Sequence, residues 1–244
     1  MASRYRRSRP SIGVTLVVLA VLVIAALVHG ATTAMRSGEA VPAASAAAEV
    51  PAGVPDPAST SAAGYSRELD AVAIGSRPAP GYARDRFGDG WKDPDHNGCD
   101  TRNDVLARDL ESVTFKPGTH DCVVLTGTLH DPYTGTTIGF VRGNLSSEAV
   151  QIDHIVPLSW SWSHGAAGWT DEKRLRFAND PANLRAVDGP TNGAKSDSGP
   201  ADWMPPSAAF ACSYIESFVA VVSGYGLSVD RHDAQAMRAT LSHC

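Results

Sequence analysis

Apolar and polar positions divide the 244 residues into three stretches of different character. An unbroken apolar run, IGVTLVVLAVLVIAALV, fills 12–28. Residues 31–64 carry Ala, Pro, Ser, Thr and Gly with scattered charge, few large apolar side chains and no period. Such a segment cannot bury a core and is expected to be a flexible tether. Periodicity begins near 65, so about 65–244 is expected to be one folded domain. Within it, 66–74 (SRELDAVAI) predicts a short helix, and 103–110 a second with Val105, Leu106 and Leu110 on one side. CVVLTGTLH at 122–130 and TTIGFVR at 136–142 are rich in β-formers and flank DPYTG, which predicts a hairpin. A third strand is expected over 150–156, closed by Pro157, and a short fourth over 183–187, before Asp188-Gly189-Pro190 opens a helix. Phe210, Tyr214, Phe218 and Val221 recur at helical spacing, Gly224 and Gly226 break the pattern, and Ala234, Met237 and Leu241 resume it after Asp230, a fair N-cap. The pattern therefore predicts an α+β domain ending in two antiparallel helices.

Charge changes the picture at the N-terminus. The first thirty residues hold four Arg and no acid ahead of the apolar run, which reads as a secretory signal peptide or an uncleaved membrane anchor. Either places the rest of the chain outside the cell, secreted or tethered to the membrane through this segment alone. Export gives the four cysteines meaning, since an even number in an oxidising compartment implies two disulfides. Arithmetic allows three pairings. Cys212 begins the first C-terminal helix and Cys244 ends the second, which favours Cys212–Cys244 and leaves Cys99–Cys122. No C-x-x-C spacing is present to suggest a cysteine zinc site.

The whole chain is 43% apolar with a net charge of −5, too apolar for a disordered one. Setting aside the four N-terminal Arg leaves 17 basic against 26 acidic residues, and 65–244 alone carry 16 against 23. A basic protein that coats nucleic acid is thereby excluded, but a nuclease that draws positive charge from a metal is not.

The chemistry concentrates in VQIDHIVPLSWSWSHGAAGW and FANDPANLRAVDGPTNGAKSD. Asp153 and His154 are neighbours at the end of an apolar strand, with Asn183 and Asn192 following at 29 and 38 residues beyond His154. This series, with GCDTRNDVLARDL, DPYTG, DHIVPL and NLRAVDG-x-x-N-x-x-K-x-D, resembles the HNH endonuclease family in its secreted actinobacterial form, related to the C-terminal domain of GmrSD restriction enzymes. The resemblance is strongest over 150–206 and extends across 82–244. It implies a ββα-metal core at about 150–200, with strands 153–156 and 183–187 and a helix at 190–198. The hairpin and the C-terminal helical pair would be additions to that core.

By the same resemblance Asp153 and Asn192 are the metal ligands, His154 is the general base, and Asn183 steadies the loop and orients the base. Oxygen ligands suit one Mg²⁺, or Mn²⁺. Successive strand side chains point to opposite sides, so Asp153 and His154 can divide the tasks. Lys195, Arg185 and Arg102 are the expected contacts to the phosphate backbone. The substrate implied is DNA, or RNA by the same phosphate chemistry, cut by a monomer with low sequence preference. Many relatives use further His ligands; His164 matches no motif position and is read as a surface residue. Trp160, Trp162 and Trp169 are expected to pack the insertion onto the core rather than to stack bases.

Asp93, Asp95, Asn97 and Asp104, with Gly98 between, have the layout of a calcium loop lacking its leading helix. Either a structural Ca²⁺ or a plain Asx-turn pinned by Cys99 accounts for it. The alternative function is a calcium-stabilised extracellular binding module with an inactive HNH unit. Intact base and ligand positions favour the enzyme.

Overall fold

The structure is a computed structural model that describes residues 61–143 and 146–244. The expected export segment at 1–30 and the tether as far as 60 lie outside the described residues. Helix α1 (Ala62–Ala71) starts earlier than the sequence pattern predicts, because Ser61 caps it by accepting the Gly64 N–H at 3.3 Å. Tyr65 and Leu69, four residues apart, bury together on its inner face. The helix stops at Ala71, and Ile74 instead forms an isolated parallel bridge to Val229.

Helix α2 (Thr101–Asp109) is capped by Asp100, whose side chain accepts the Asn103 N–H at 2.9 Å. At Leu110 the chain passes into β1 (Leu110–Phe115), a strand that the pattern does not predict. Ser112 has φ of 51°, and two register shifts interrupt its pairing, so the alternation that marks a strand is broken. The expected hairpin forms as β2 (Val124–His130) and β3 (Thr137–Val141), giving an antiparallel meander in the order β1-β2-β3.

A separate antiparallel pair joins β4 (Val150–His154) to β5 (Leu184–Asp188), in register from Val150↔Asp188 to His154↔Leu184. The insertion between them contains α3 (Leu158–Ser163) and α4 (Asp171–Ala178), each too short to show a period in sequence. Trp160 and Trp162 are buried in the core and Trp169 packs against it, as expected of an insertion laid onto the fold. His164 corrects the sequence reading: far from lying on the surface, it is only 6% exposed and stacks on Trp160 with ring centroids 3.6 Å apart. Helix α5 (Gly189–Lys195) follows β5 directly, capped by Asp188, which accepts the Thr191 N–H at 2.8 Å. It ends at Lys195 rather than 198 because Ser196 turns to φ of 52°.

The C-terminal pair is α6 (Ala211–Tyr225) and α7 (Arg231–Leu241), separated by Gly226 at φ of 66°. Both expected disulfides are present, Cys99–Cys122 and Cys212–Cys244. The second spans 32 residues, and closing a loop of that length in the unfolded chain is worth about 3–4 kcal/mol. Cys212→Ser/Cys244→Ser should therefore lose roughly that much stability in urea titration.

Two apolar clusters organise the molecule. The larger collects α1, the tryptophans of the insertion and α6–α7; the smaller lies among α2, the meander and one face of β4–β5. Val150, Ile152, Leu184 and Ala186 enter the smaller cluster, whereas Val187, Ile155 and Val156 enter the larger. The β4–β5 pair is thus gripped from both sides, which fixes the residues at its end.

Candidate active site

Alternation along β4 builds the site. Val150 and Ile152 face the smaller core, so Gln151 and Asp153 share the opposite face. Helix α5 packs there. Asn192 donates its amide Nδ2–H to Gln151 Oε1 at 2.9 Å, and Lys195 donates its ammonium to Asp153 Oδ1 at 2.9 Å. Residues three apart share one face of a helix and residues two apart share one face of a strand, so Asn192 and Lys195 can meet Gln151 and Asp153.

Lys195 therefore departs from its expected role. It is 0% exposed, and its ammonium serves Asp153 and the His154 carbonyl, the latter at 2.8 Å, so it cannot reach a DNA backbone. The other Asp153 oxygen accepts the Tyr133 hydroxyl at 2.5 Å. Tyr133 is placed by the DPYTG turn, where buried Asp131 accepts the Asp188 N–H at 3.0 Å and ties the meander to the end of β5. Burial pushes the Asp153 carboxyl up and the Lys195 ammonium down, each against the attraction of the other. Burial, and then the Asp153 charge, push the Tyr133 hydroxyl well up, so it stays a donor.

His154 points the other way from Asp153. Its ring stacks parallel to Trp91, with centroids 5.8 Å apart, and Nε2 lies 2.9 Å from the Ala178 carbonyl. A carbonyl only accepts, so Nε2 carries the proton and Nδ1 is left as the acceptor. Burial pushes the imidazole down to about 3, which keeps it neutral at pH 7. Asn183, wholly buried, accepts the Val156 N–H at 2.8 Å and donates to the Val156 carbonyl at 3.3 Å. It fastens the chain just beyond β4, while Ala178 rather than Asn183 orients the ring.

Asp153, His154 and Asn192 line one cavity of about 440 Å³, together with Arg84, Ser159 and Asp197. Asn192 binds Gln151 through Nδ2, so its Oδ1 remains free to accept, and the Asp153 oxygens, each accepting from Lys195 or Tyr133, keep a second lone pair apiece. An all-oxygen donor set of this kind fits Mg²⁺ or Mn²⁺. Arg84 is the arginine that lines this cavity, and it also lines a smaller neighbouring one beside Trp91 and His154.

The two other expected phosphate contacts lie elsewhere. Arg185 sits 3.6 Å from Asp109, and Arg102 is half-buried with Nη2 donating to the Val150 carbonyl at 3.4 Å. Neither lines the cavity, because the register of β5 and the packing of α2 turn both toward backbone and Asp109. In the 93–104 loop the Asn97 amide donates to Asp95 at 3.1 Å and to Asp104 at 3.2 Å, while Asp93 accepts the Asn97 and Gly98 N–H groups. The Asn97 side chain thus bridges Asp95 and Asp104, and none of the four residues lines the cavity.

Sequence reasoning missed Tyr133, Arg84 and Trp91. The first lay within a string already marked as a turn, where a large aromatic among turn residues was the available signal. The others carry none, since only the tertiary fold brings 84–91 against β4.

A family model described as GmrSD restriction endonucleases, C-terminal domain, matches residues 100–240. A protein of Arthroderma benhamiae named "Uncharacterized secreted protein" is 36% identical over 198 residues, which cover 80% of this chain and 92% of that one. No solved structure matches. With the match spanning more than half of its length, the chain belongs to the family of the GmrSD restriction endonuclease C-terminal domain.

Proposed function

We propose that the chain is an exported, metal-dependent endonuclease that hydrolyses DNA phosphodiester bonds with little sequence preference, using β4, β5 and α5 as an HNH-type ββα-metal unit. The observation that carries this reading is the shared cavity, where a carboxylate, a neutral imidazole and a free amide oxygen meet beside an arginine. The family's name supports a nuclease acting on DNA, and the basic-then-apolar N-terminus and the name of the relative support export.

His154 takes the proton from the attacking water at Nδ1, with the Ala178 carbonyl holding the tautomer that makes this possible. Asp153 and Asn192 would hold a divalent ion, which would stabilise charge on the phosphate and the departing oxygen. Tyr133 and Lys195 position Asp153. Arg84 contacts the substrate phosphate, which carries no sequence information and accounts for low preference.

Full-length protein should nick plasmid in Mg²⁺, lose that activity in EDTA and regain it on adding Mg²⁺ or Mn²⁺. Cutting that ignores the chelator would overturn the metal-dependent reading. Silence under both ions would favour an envelope binding module instead. Arg84→Ala should weaken DNA binding across sequences and reduce the slope of log affinity against log salt by about 1. An unchanged slope would remove Arg84 from the interface.

A further inference from the structure

Outside that site, three side chains converge where the insertion meets the C-terminal helices. His164 ends α3 as its C-cap, Asp230 is the N-cap of α7, and Asp233 lies in the first turn of α7. One nitrogen or oxygen from each lies within 4.8 Å of the other two.

The arrangement leaves two buried groups in want of a cation. His164 Nδ1 donates to the Trp160 carbonyl at 2.7 Å, so in the neutral ring Nε2 is a bare lone pair. That Nε2 is buried without a hydrogen-bond partner and faces Asp230 Oδ2 at 3.9 Å, beyond hydrogen-bond reach. Asp233 is 3% exposed and, among the described residues, has no lysine or arginine within ion-pair distance. Among the described residues its carboxylate accepts only the Ala201 N–H at 2.8 Å and the Trp160 indole N–H at 2.9 Å. A buried lone pair without a donor and a buried charge without a counter-charge each cost stability, and a single cation answers both.

We propose that His164, Asp230 and Asp233 form a second divalent-cation site, with zinc as its preferred ion, that ties α3 to α7. Imidazole nitrogen and carboxylate oxygen are both zinc ligands, and the imidazole turns the set away from Mg²⁺ and Ca²⁺, which take oxygen. The separations, 3.9 Å between His164 and Asp230 and no more than 4.8 Å among the three, exceed the edge of a tetrahedron with zinc–ligand bonds of about 2.0–2.1 Å, so binding draws the ligands together by roughly 0.5 to 1.4 Å. Trp160 orders both of the buried ligands: its carbonyl fixes the His164 tautomer, its ring stacks on the imidazole, and its indole N–H orients Asp233. Asp230 spends Oδ1 on the α7 cap, leaving Oδ2 to bind, and its 39% exposure opens a path for the ion and for a water as fourth ligand.

The test uses full-length protein stripped of metal and titrated with Zn²⁺, and with Co²⁺ as a visible-absorption probe. One equivalent of Zn²⁺ should raise the melting temperature, and Co²⁺ should give the intense visible bands of a four-coordinate site. Asp230→Asn keeps a good N-cap while weakening a ligand, and His164→Gln removes another. Each should lower zinc affinity at least tenfold, whereas Asp153→Asn should leave this site intact and Asp230→Asn should leave Mg²⁺-dependent nicking intact. Zinc binding unchanged in both His164→Gln and Asp230→Asn, or no binding to the wild type, would overturn the site. A response to Ca²⁺ or Mg²⁺ but not to Zn²⁺ would overturn the zinc assignment.

Discussion

His154→Ala should cut plasmid more slowly than wild type by about 10²–10⁴-fold, the usual contribution of a positioned general base, with DNA binding retained. The ring is neutral, its tautomer is set by Ala178, and it lines the cavity with Asp153 and Asn192. Because His154 is buried against Trp91, the substitution also removes packing, and the comparison needs a control for folding. His154→Gln, larger and able to donate an amide N–H toward Ala178, supplies one. Both variants should retain a cooperative melt while losing cleavage. Wild-type rates in either variant would end the general-base assignment.

What could be read in the sequence followed from local rules. Alternation along β4 put Asp153 and His154 on opposite sides, whereas the helix that carries Asn192 and Lys195 beside that strand was what the family resemblance implied. Helix ends placed Cys212 next to Cys244. The failures share a physical cause, dependence on partners remote in the chain. Lys195 looks like a surface cation until Asp153 is known to meet it. Tyr133 reaches Asp153 only because Asp131 docks the meander onto β5. His164 is buried because the insertion folds into α3 and α4, two-turn helices without enough length for a hydrophobic period. Strand β1 was hidden by its own irregularity at Ser112.

Lys195→Met should destabilise the protein by about 3–5 kcal/mol, the cost of breaking a buried ion pair by removing one partner. Met fills much of the same volume, so the loss is mainly electrostatic: the Asp153 carboxylate would stay buried with only the Tyr133 hydroxyl to answer it. Adding Asp153→Asn to Lys195→Met should restore much of the stability, because the unpaired charge goes with its partner. A backbone-contacting surface lysine predicts a different result, with unchanged stability and a shallower salt dependence of DNA binding. Urea titration of the two variants separates these cases. A Lys195→Met protein within about 1 kcal/mol of wild type would show that the pair does not hold Asp153 in place, since only a surface lysine is that cheap to remove. Millimolar Mg²⁺ adds a further discriminator. A cation that binds the folded state at Asp153 and Asn192 stabilises it by mass action, so it should recover part of the loss in Lys195→Met and none in the double variant, whose carboxylate is gone.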